Sequence, residues 1–246
     1  MTKALMELFE QHLPVAQVPV SLPLAKTGLI IVDAVNGFCT VGAGSLAPAE
    51  PNAQIDQMID VSNGLARRFS DAHRPILALL DTHEPGRLEP PYPPHCERGT
   101  GEENLVPVLA WLEDDANATL LRKDCTNGFV GAIEHSSHHG LHHNRVLDWV
   151  NVNRFEALLV TGICTDICVM ELVMSLLAAR NHRLMPSLRD VVVKEPACAT
   201  YHLPLQLTAD LGLPATAAHP QEPTHYMALY FMASRGAVLA SSVTLD

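Results

Sequence analysis

The sequence predicts an α/β fold: a doubly wound, mostly parallel sheet with helices on both faces. Apolar runs of strand length alternate along the chain with segments of helical pattern, and such repeated strand–helix units build parallel sheets covered by helices. Hydrophobic residues make up 48% of the 246 residues, which is enough for a sizeable core. A chain of this length fits one α/β domain, so we expect a single domain over residues 1–246.

The elements follow from this alternation in chain order. The first strand is built around the run Leu-Ile-Ile-Val, and a later one contains Ala-Leu-Leu-Val-Thr directly before a segment rich in Leu, Met, Ala and Val. A Pro-rich segment at 84–94 and a His-rich segment at 135–144 are predicted loops. Strands are predicted at 27–35, 75–81, 119–122, 155–162, 191–194 and 237–245, and helices at 52–69, 103–112, 146–153, 166–180 and 220–233.

Composition excludes several classes of protein. The formal net charge of −11 argues against nucleic acid and anionic membranes as partners. No apolar run reaches transmembrane length, and residues 1–14 lack the apolar core of a signal peptide. Six cysteines in a chain of this size do not form a small disulfide scaffold, so a reducing compartment, the cytoplasm, is expected. We also expect a homo-oligomer that acts on a small molecule.

Two cysteines lie at a turn between a predicted strand and a predicted helix. Cys164 and Cys168 fall in the stretch Gly-Ile-Cys-Thr-Asp-Ile-Cys, where free backbone N–H groups and the helix dipole stabilise a thiolate and can hold an oxyanion. The alternatives are buried core thiols, a redox pair or half of a zinc site. The spacing is not that of a thioredoxin-like pair, and no second cysteine pair completes a structural zinc site.

Polar residues follow three of the predicted strands. Asp33, Asp81 and the cysteine turn fall at the carboxyl ends, where open parallel sheets bind their ligands. Asp81 and His83 project to one side in extended geometry, and with His95 they suit a divalent metal with open positions. Lys123 ends another strand, where it could bridge a thiolate and a carboxylate. The four histidines at 138, 139, 142 and 143 are a less favoured metal site, because their flanks resemble a solvated loop.

Taken in chain order, these motifs resemble those of the nicotinamidase branch of the isochorismatase-like cysteine hydrolases. They are most similar to its plant-type group. The resemblance covers most of the chain. The family's motifs match as a set, which is more specific than any one of them. The matching residues are Asp33 with Phe38, Asp81 with His83, Tyr92-Pro93 with His95-Cys96, Gly99-Thr100, Lys123, and Gly162 through Cys168-Val169.

The resemblance implies the hydrolysis of nicotinamide to nicotinate and ammonia through a cysteine thioester, in NAD salvage. Cys168 would be the nucleophile, Asp33 the general base and acid, and Lys123 the cation that stabilises both side chains. The backbone N–H groups of Cys164 and Cys168 would hold the oxyanion, after a cis peptide bond between Ile163 and Cys164.

The same resemblance implies a metal and a ring-binding site. Asp81, His83 and His95 would hold a divalent ion on the pyridine nitrogen, with zinc favoured over iron, manganese or magnesium. The residues expected to contact the substrate ring are Phe38, Tyr92 and Ile163.

Three positions depart from the family pattern. Many members carry Gln and a second Asp where this chain has Val35 and Gly37, and some carry a further His in the loop after the Asp-x-His pair, where this chain has none. Two alternative functions stay open: a related hydrolase of N-carbamoyl or ureido amides, and a catalytically silent zinc-binding interaction protein. A thiol redox sensor that uses Cys164 and Cys168 is a weaker third.

Overall fold

A computed structural model describes residues 3–135 and 142–246. Seven strands form one parallel sheet in the order β1-β9-β8-β7-β2-β3-β4, and two short strands pair antiparallel as β5-β6. The strands are β1 (Val18–Leu22), β2 (Thr27–Val32), β3 (Ile76–Asp81), β4 (Ala118–Lys123), β5 (Ile133–His135), β6 (His142–Asn144), β7 (Ala157–Ile163), β8 (Asp190–Ala199) and β9 (Val238–Leu245). The α-helices are α1 (Lys3–His12), α2 (Asn36–Cys39), α3 (Ala53–Asp71), α4 (Arg145–Asn153), α5 (Met170–Asn181), α6 (Leu205–Asp210) and α7 (Gln221–Ser234).

The sheet is buried on both faces. Side chains alternate along the central strands between two apolar cores: in β2, Ile30 and Val32 belong to one core, while Leu29 and Ile31 belong to the other. Helices α4, α5 and α7 cover the first core, and α3 covers the second. The central strands are apolar without interruption because each of them packs against a core on both faces of the sheet. The predicted doubly wound parallel sheet is confirmed.

The sheet brings the predicted polar residues to one edge. Strand β2 lies between β7 and β3, and β4 lies beyond β3. Val32 is in register with Gly162, and Asp81 is in register with Lys123. The residues that end β2, β3, β4 and β7 therefore meet at the carboxyl edge of the sheet, as the strand-end argument predicts.

Several predicted elements differ from the structure. The helix expected at 103–112 is a 3₁₀ helix over Pro107–Glu113, because the Glu103 carboxylate accepts the backbone N–H groups of Gly99 (2.7 Å) and Gly101 (2.9 Å) and fixes a turn before it. The strand expected at 191–194 continues as β8 to Ala199, through a register shift opposite β7. The sequence patterns did not predict α1, β1 or α6.

The His-rich segment is also different from its prediction as a loop. Its described ends are the strands β5 and β6, which pair with each other outside the main sheet. Glu134 lies opposite His143 in this ribbon. His143 lies 3.3 Å from the Glu134 carboxylate at the surface. His138 and His139, on which the second metal hypothesis depended, lie outside the described residues. Among the residues described, no helix has the length and apolar character needed to cross a membrane.

Candidate active site

Lys123 links two carboxylates at the carboxyl edge of the sheet. Its Nζ atom lies 2.9 Å from Asp33 Oδ2, 2.9 Å from Asp81 Oδ1 and 2.9 Å from the carbonyl oxygen of Cys125. An ammonium group has three N–H donors, so these three acceptors use all of them. The expectation that Lys123 contacts both the carboxylate and the thiol holds only for the carboxylate; its charge acts on Cys168 through space.

Asp33 is a fully buried carboxylate with the character of a proton acceptor. Burial raises the pKa of Asp33 to about 6, while the charge of Lys123 opposes that rise and the nearby Asp81 adds to it. The Cys168 thiol beside the same carboxylate also opposes that rise, which favours the ionised form of Asp33. A carboxyl group of this pKa can accept and return a proton near neutral pH. Its backbone has φ of 51°, a left-handed conformation that Asp tolerates better than most residues.

The Cys168 thiol is buried and protonated in the resting site. Burial raises the pKa of Cys168 well above its ordinary value; the charge of Lys123 opposes that rise, and the repulsion of Asp33 adds to it. The sequence argument, in which the helix N-terminus stabilises a thiolate, did not include this desolvation. The Asp33 carboxylate, which can accept the thiol proton, lies close enough for the two groups to shift each other's pKa.

The turn that carries both cysteines has an unusual backbone. We call residues 162–168 the nucleophile turn. Gly162 has φ of 126°, and a Cβ atom at this position would lie 2.1 Å from the carbonyl oxygen of Val32. Only glycine fits there. The Ile163–Cys164 peptide bond is cis, as the resemblance implies, and a π-helical turn over Thr165–Val169 leads into α5 instead of the regular helical start that was predicted.

Four side chains near Cys168 form a group, the metal-ligand cluster, with the character of a metal site. The ligand atoms of Asp81, His83, Glu89 and His95 all lie within 4.8 Å of one another. The Nε2 atoms of both histidines lie 3.1 Å from Asp81 Oδ2. The Nδ1 atom of His95 donates to the carbonyl oxygen of Pro93 at 2.8 Å, which leaves the Nε2 lone pair facing the cluster.

Glu89 is the member of this cluster that the sequence analysis missed. Its Oε1 atom accepts the backbone N–H of Thr126 at 2.7 Å, whereas its Oε2 atom is buried without a hydrogen-bond partner, 3.6 Å from His83 and 3.8 Å from His95. A buried carboxylate oxygen beside two imidazoles fits a divalent cation. The available signal was an acidic residue in the Pro-rich loop, in the region where some relatives carry another histidine.

A cavity of about 500 Å³ opens over the nucleophile turn and the metal-ligand cluster. The expected ring-binding residues do meet there: the ring of Phe38 lies 5.7 Å from that of His95, and the ring of Tyr92 lies 6.0 Å from it, edge-on. Burial raises the pKa of Tyr92 to about 12, so its hydroxyl stays neutral. Residues that line the cavity and were not predicted include Ile55, Ile167, Tyr201, Leu203 and segment 45–52.

The fold and this site together define a class: a parallel α/β hydrolase with a buried Cys–Asp–Lys set beside a metal-ligand cluster. The family model described as an isochorismatase domain matches residues 27–210. The chain is 46% identical to Nicotinamidase 1 of Arabidopsis thaliana over 222 residues, which are 90% of this chain and 88% of that protein. The chain therefore belongs to the isochorismatase family.

Solved structures of more distant proteins share the fold. A nicotinamidase/pyrazinamidase from Bacillus subtilis has a TM-score of 0.63 at 21% identity, over 88% of this chain and all (100%) of that one. A pyrazinamidase of Pyrococcus horikoshii in complex with zinc has a TM-score of 0.59 at 18% identity, over 90% and 99%. An N-carbamoylsarcosine amidase from Thermoplasma acidophilum has a TM-score of 0.58 at 19% identity, over 87% and 95%.

Proposed function

We propose that this protein is a nicotinamidase: it hydrolyses nicotinamide to nicotinate and ammonia in NAD salvage, within a single domain over residues 1–246. The observation that carries the proposal is that Cys168 opens onto the same cavity as the metal-ligand cluster, with the Asp33 carboxylate beside the thiol. The 46% identity to an Arabidopsis nicotinamidase supports the substrate. All six cysteines are free, which agrees with a reducing compartment, and we assign the enzyme to the cytoplasm.

The proposed reaction begins with proton transfer from Cys168 to Asp33. The thiolate then attacks the carboxamide carbon, and the backbone N–H groups of Cys164 and Cys168 hold the oxyanion. As the tetrahedral intermediate collapses, Asp33 returns the proton to the departing ammonia and a thioester remains. Water attacks the thioester, with Asp33 accepting its proton, and nicotinate leaves as Cys168 regains a proton.

Lys123 allows Asp33 to accept and return a proton in these steps. Two buried carboxylates so close together would otherwise repel each other, and Asp33 would then hold its proton at neutral pH. The ammonium between Asp33 and Asp81 compensates both charges, so that Asp33 can cycle between its two protonation states. The Lys123 charge also opposes the rise in the pKa of Cys168 that burial causes.

We propose that Asp81, His83, Glu89 and His95 hold a divalent metal ion. Two imidazoles and two carboxylates suit zinc best, with iron, manganese and magnesium as alternatives. When bound, the ion supplies a Lewis-acidic partner for the pyridine nitrogen. The substrate ring then packs against apolar and aromatic side chains, of which Phe38, Tyr92 and Ile163 are the proposed contacts.

Ammonia release tests the proposal directly. The purified protein should release ammonia from nicotinamide, and a chelator should suppress that release. His83→Ala or His95→Ala should lower the bound metal and raise the KM for nicotinamide strongly, because the ring nitrogen loses its partner. Benzamide, which lacks this nitrogen, should be a poor substrate and should lose little further in these variants.

Other outcomes would favour the alternatives. Turnover of an N-carbamoyl amide with no turnover of nicotinamide would indicate a related hydrolase. Metal binding with no turnover of any amide would indicate an interaction protein. Equal losses for nicotinamide and benzamide in the histidine variants would mean that the metal organises the site without contacting the ring nitrogen.

A further inference from the structure

A histidine outside the matched family segment contacts the nucleophile turn. His219 lies just before α7, beyond residue 210, and its side chain is only 9% exposed. Its Nε2 atom lies 2.7 Å from Asp166 Oδ2, and its Nδ1 atom lies 2.9 Å from the carbonyl oxygen of Tyr201. Asp166 stands between Cys164 and Cys168, so His219 bonds the turn that carries the reacting thiol.

Both ring nitrogens of His219 face oxygen acceptors. Burial opposes the ionisation of Asp166, but its hydrogen bonds with His219 and Thr200 outweigh burial and hold its pKa below the ordinary value. His219 therefore links the side chain of Asp166 to the backbone of Tyr201.

The His219 ring also supports one wall of the cavity. The ring of Tyr201 stacks on the ring of His219, with centroids 3.7 Å apart and planes 14° apart. Stacked ring pairs of this kind contribute stability beyond the apolar area that they bury. Tyr201 lines the cavity, and although burial raises the pKa of the Cys164 thiol, the backbone N–H of Tyr201 opposes that rise. One side chain thus joins the aromatic wall to the nucleophile turn.

We propose that His219 is a positioning residue of the substrate cavity: its ring stacks on Tyr201 and fixes it against the nucleophile turn through Asp166. This proposal rests on the proposed nicotinamidase function, because its test measures the KM for nicotinamide. Loss of His219 lets the Tyr201 ring move away from the turn, so substrate binding weakens more than the chemistry at Cys168 does.

A second histidine provides a matched control. His225 on α7 bonds the neighbouring residue of the turn, Thr165, through Nδ1 at 2.8 Å, and its Nε2 atom lies 3.4 Å from Glu195. It is buried to a similar degree as His219. His225 therefore matches His219 in burial and in its bond to the turn, but its other partner is Glu195 and not Tyr201.

A double-mutant cycle on the KM for nicotinamide tests the proposal. His219→Gln and Tyr201→Leu should each raise KM about 10-fold, about 1.4 kcal/mol of binding, with a smaller change in kcat. The double variant should also show about 10-fold and not about 100-fold, because the second change removes an interaction that is already lost. The cycle of His225→Gln with Tyr201→Leu should be multiplicative.

A second variant replaces His219→Gln in the cycle if that protein does not fold. It is Asp166→Asn, which removes the carboxylate that His219 bonds. An unchanged KM or a multiplicative His219–Tyr201 cycle would overturn the proposal, whereas a native protein inactive on nicotinamide would overturn the proposed function instead.

Discussion

Replacement of Lys123 by methionine is the sharpest test of the charge arrangement at the sheet edge. Lys123 is fully buried between Asp33 and Asp81, 2.9 Å from each carboxylate. With an effective dielectric of about 20, each contact is worth about 6 kcal/mol of Coulomb attraction before desolvation. Desolvation cancels a large part of this, and breaking such a buried pair typically costs about 3–5 kcal/mol of the free energy of unfolding.

We therefore expect Lys123→Met to lower the melting temperature by about 6–20 °C, from about 2–4 °C per kcal/mol for a chain of this size. The pKa of Cys168 should rise further, since Lys123 is the charge that lowers it. The acylation rate should fall by at least about 100-fold, the usual contribution of a positioned general base, because Asp33 would hold its proton.

The assays are thermal unfolding, single-turnover ammonia release, and the rate of iodoacetamide alkylation as a function of pH. Asp33→Asn is the matched comparison, because it removes one charge of the pair and keeps the shape. Its thiol should still be alkylated, but it should not release ammonia. The double variant Lys123→Met/Asp33→Asn should be less destabilised than the sum of the two single variants. Normal turnover with an unshifted alkylation profile in Lys123→Met would show that Lys123 is only a strand-end charge.

Five other substitutions test three separate parts of the structure. Cys168→Ala should abolish turnover and leave ligand binding largely intact, whereas Cys164→Ala should retain substantial activity because only its backbone N–H is needed; the reverse pattern would show that the nucleophile is misassigned. Glu89→Gln should lower the metal content measured by elemental analysis, and full metal retention would remove Glu89 from the ligand set. Gly162→Ala should destabilise the fold by more than about 3 kcal/mol, since its Cβ would overlap the Val32 carbonyl, while Gly64→Ala, in open space on α3, should stabilise it by about 0.5–1 kcal/mol in chemical denaturation.

The elements that sequence patterns predicted well are those whose residues face a core on both sides. In β2, β3 and β7 every residue is buried, so the apolar runs are continuous and their lengths are easy to see. Strand β1 was missed because it lies at the sheet edge, contains Pro19 and is mostly exposed. The short helix α6 was missed because its surface leucines, Leu205 and Leu207, do not form a stripe that faces a core.

In the nucleophile turn, local sequence predicted the secondary structure but not the protonation state of the thiol. Local sequence predicts a strand, a turn and a helix there, and glycine at 162 is consistent with a tight approach. Sequence reasoning could not predict that burial would keep Cys168 protonated, because desolvation depends on what the rest of the chain packs around the sulfur.

The sequence by itself determined the sheet, the strand ends at which Asp33, Asp81 and Lys123 stand, and the ordered motifs of the family. These features depend on neighbours within a few positions, so a linear pattern records them. Only the tertiary structure decided that Lys123 bonds two carboxylates, that Glu89 lies beside Asp81, His83 and His95, and that His219 bonds Asp166 in the nucleophile turn. Those contacts join segments that are far apart in the chain, and their energies depend on distance and on the exclusion of water, neither of which a linear pattern contains.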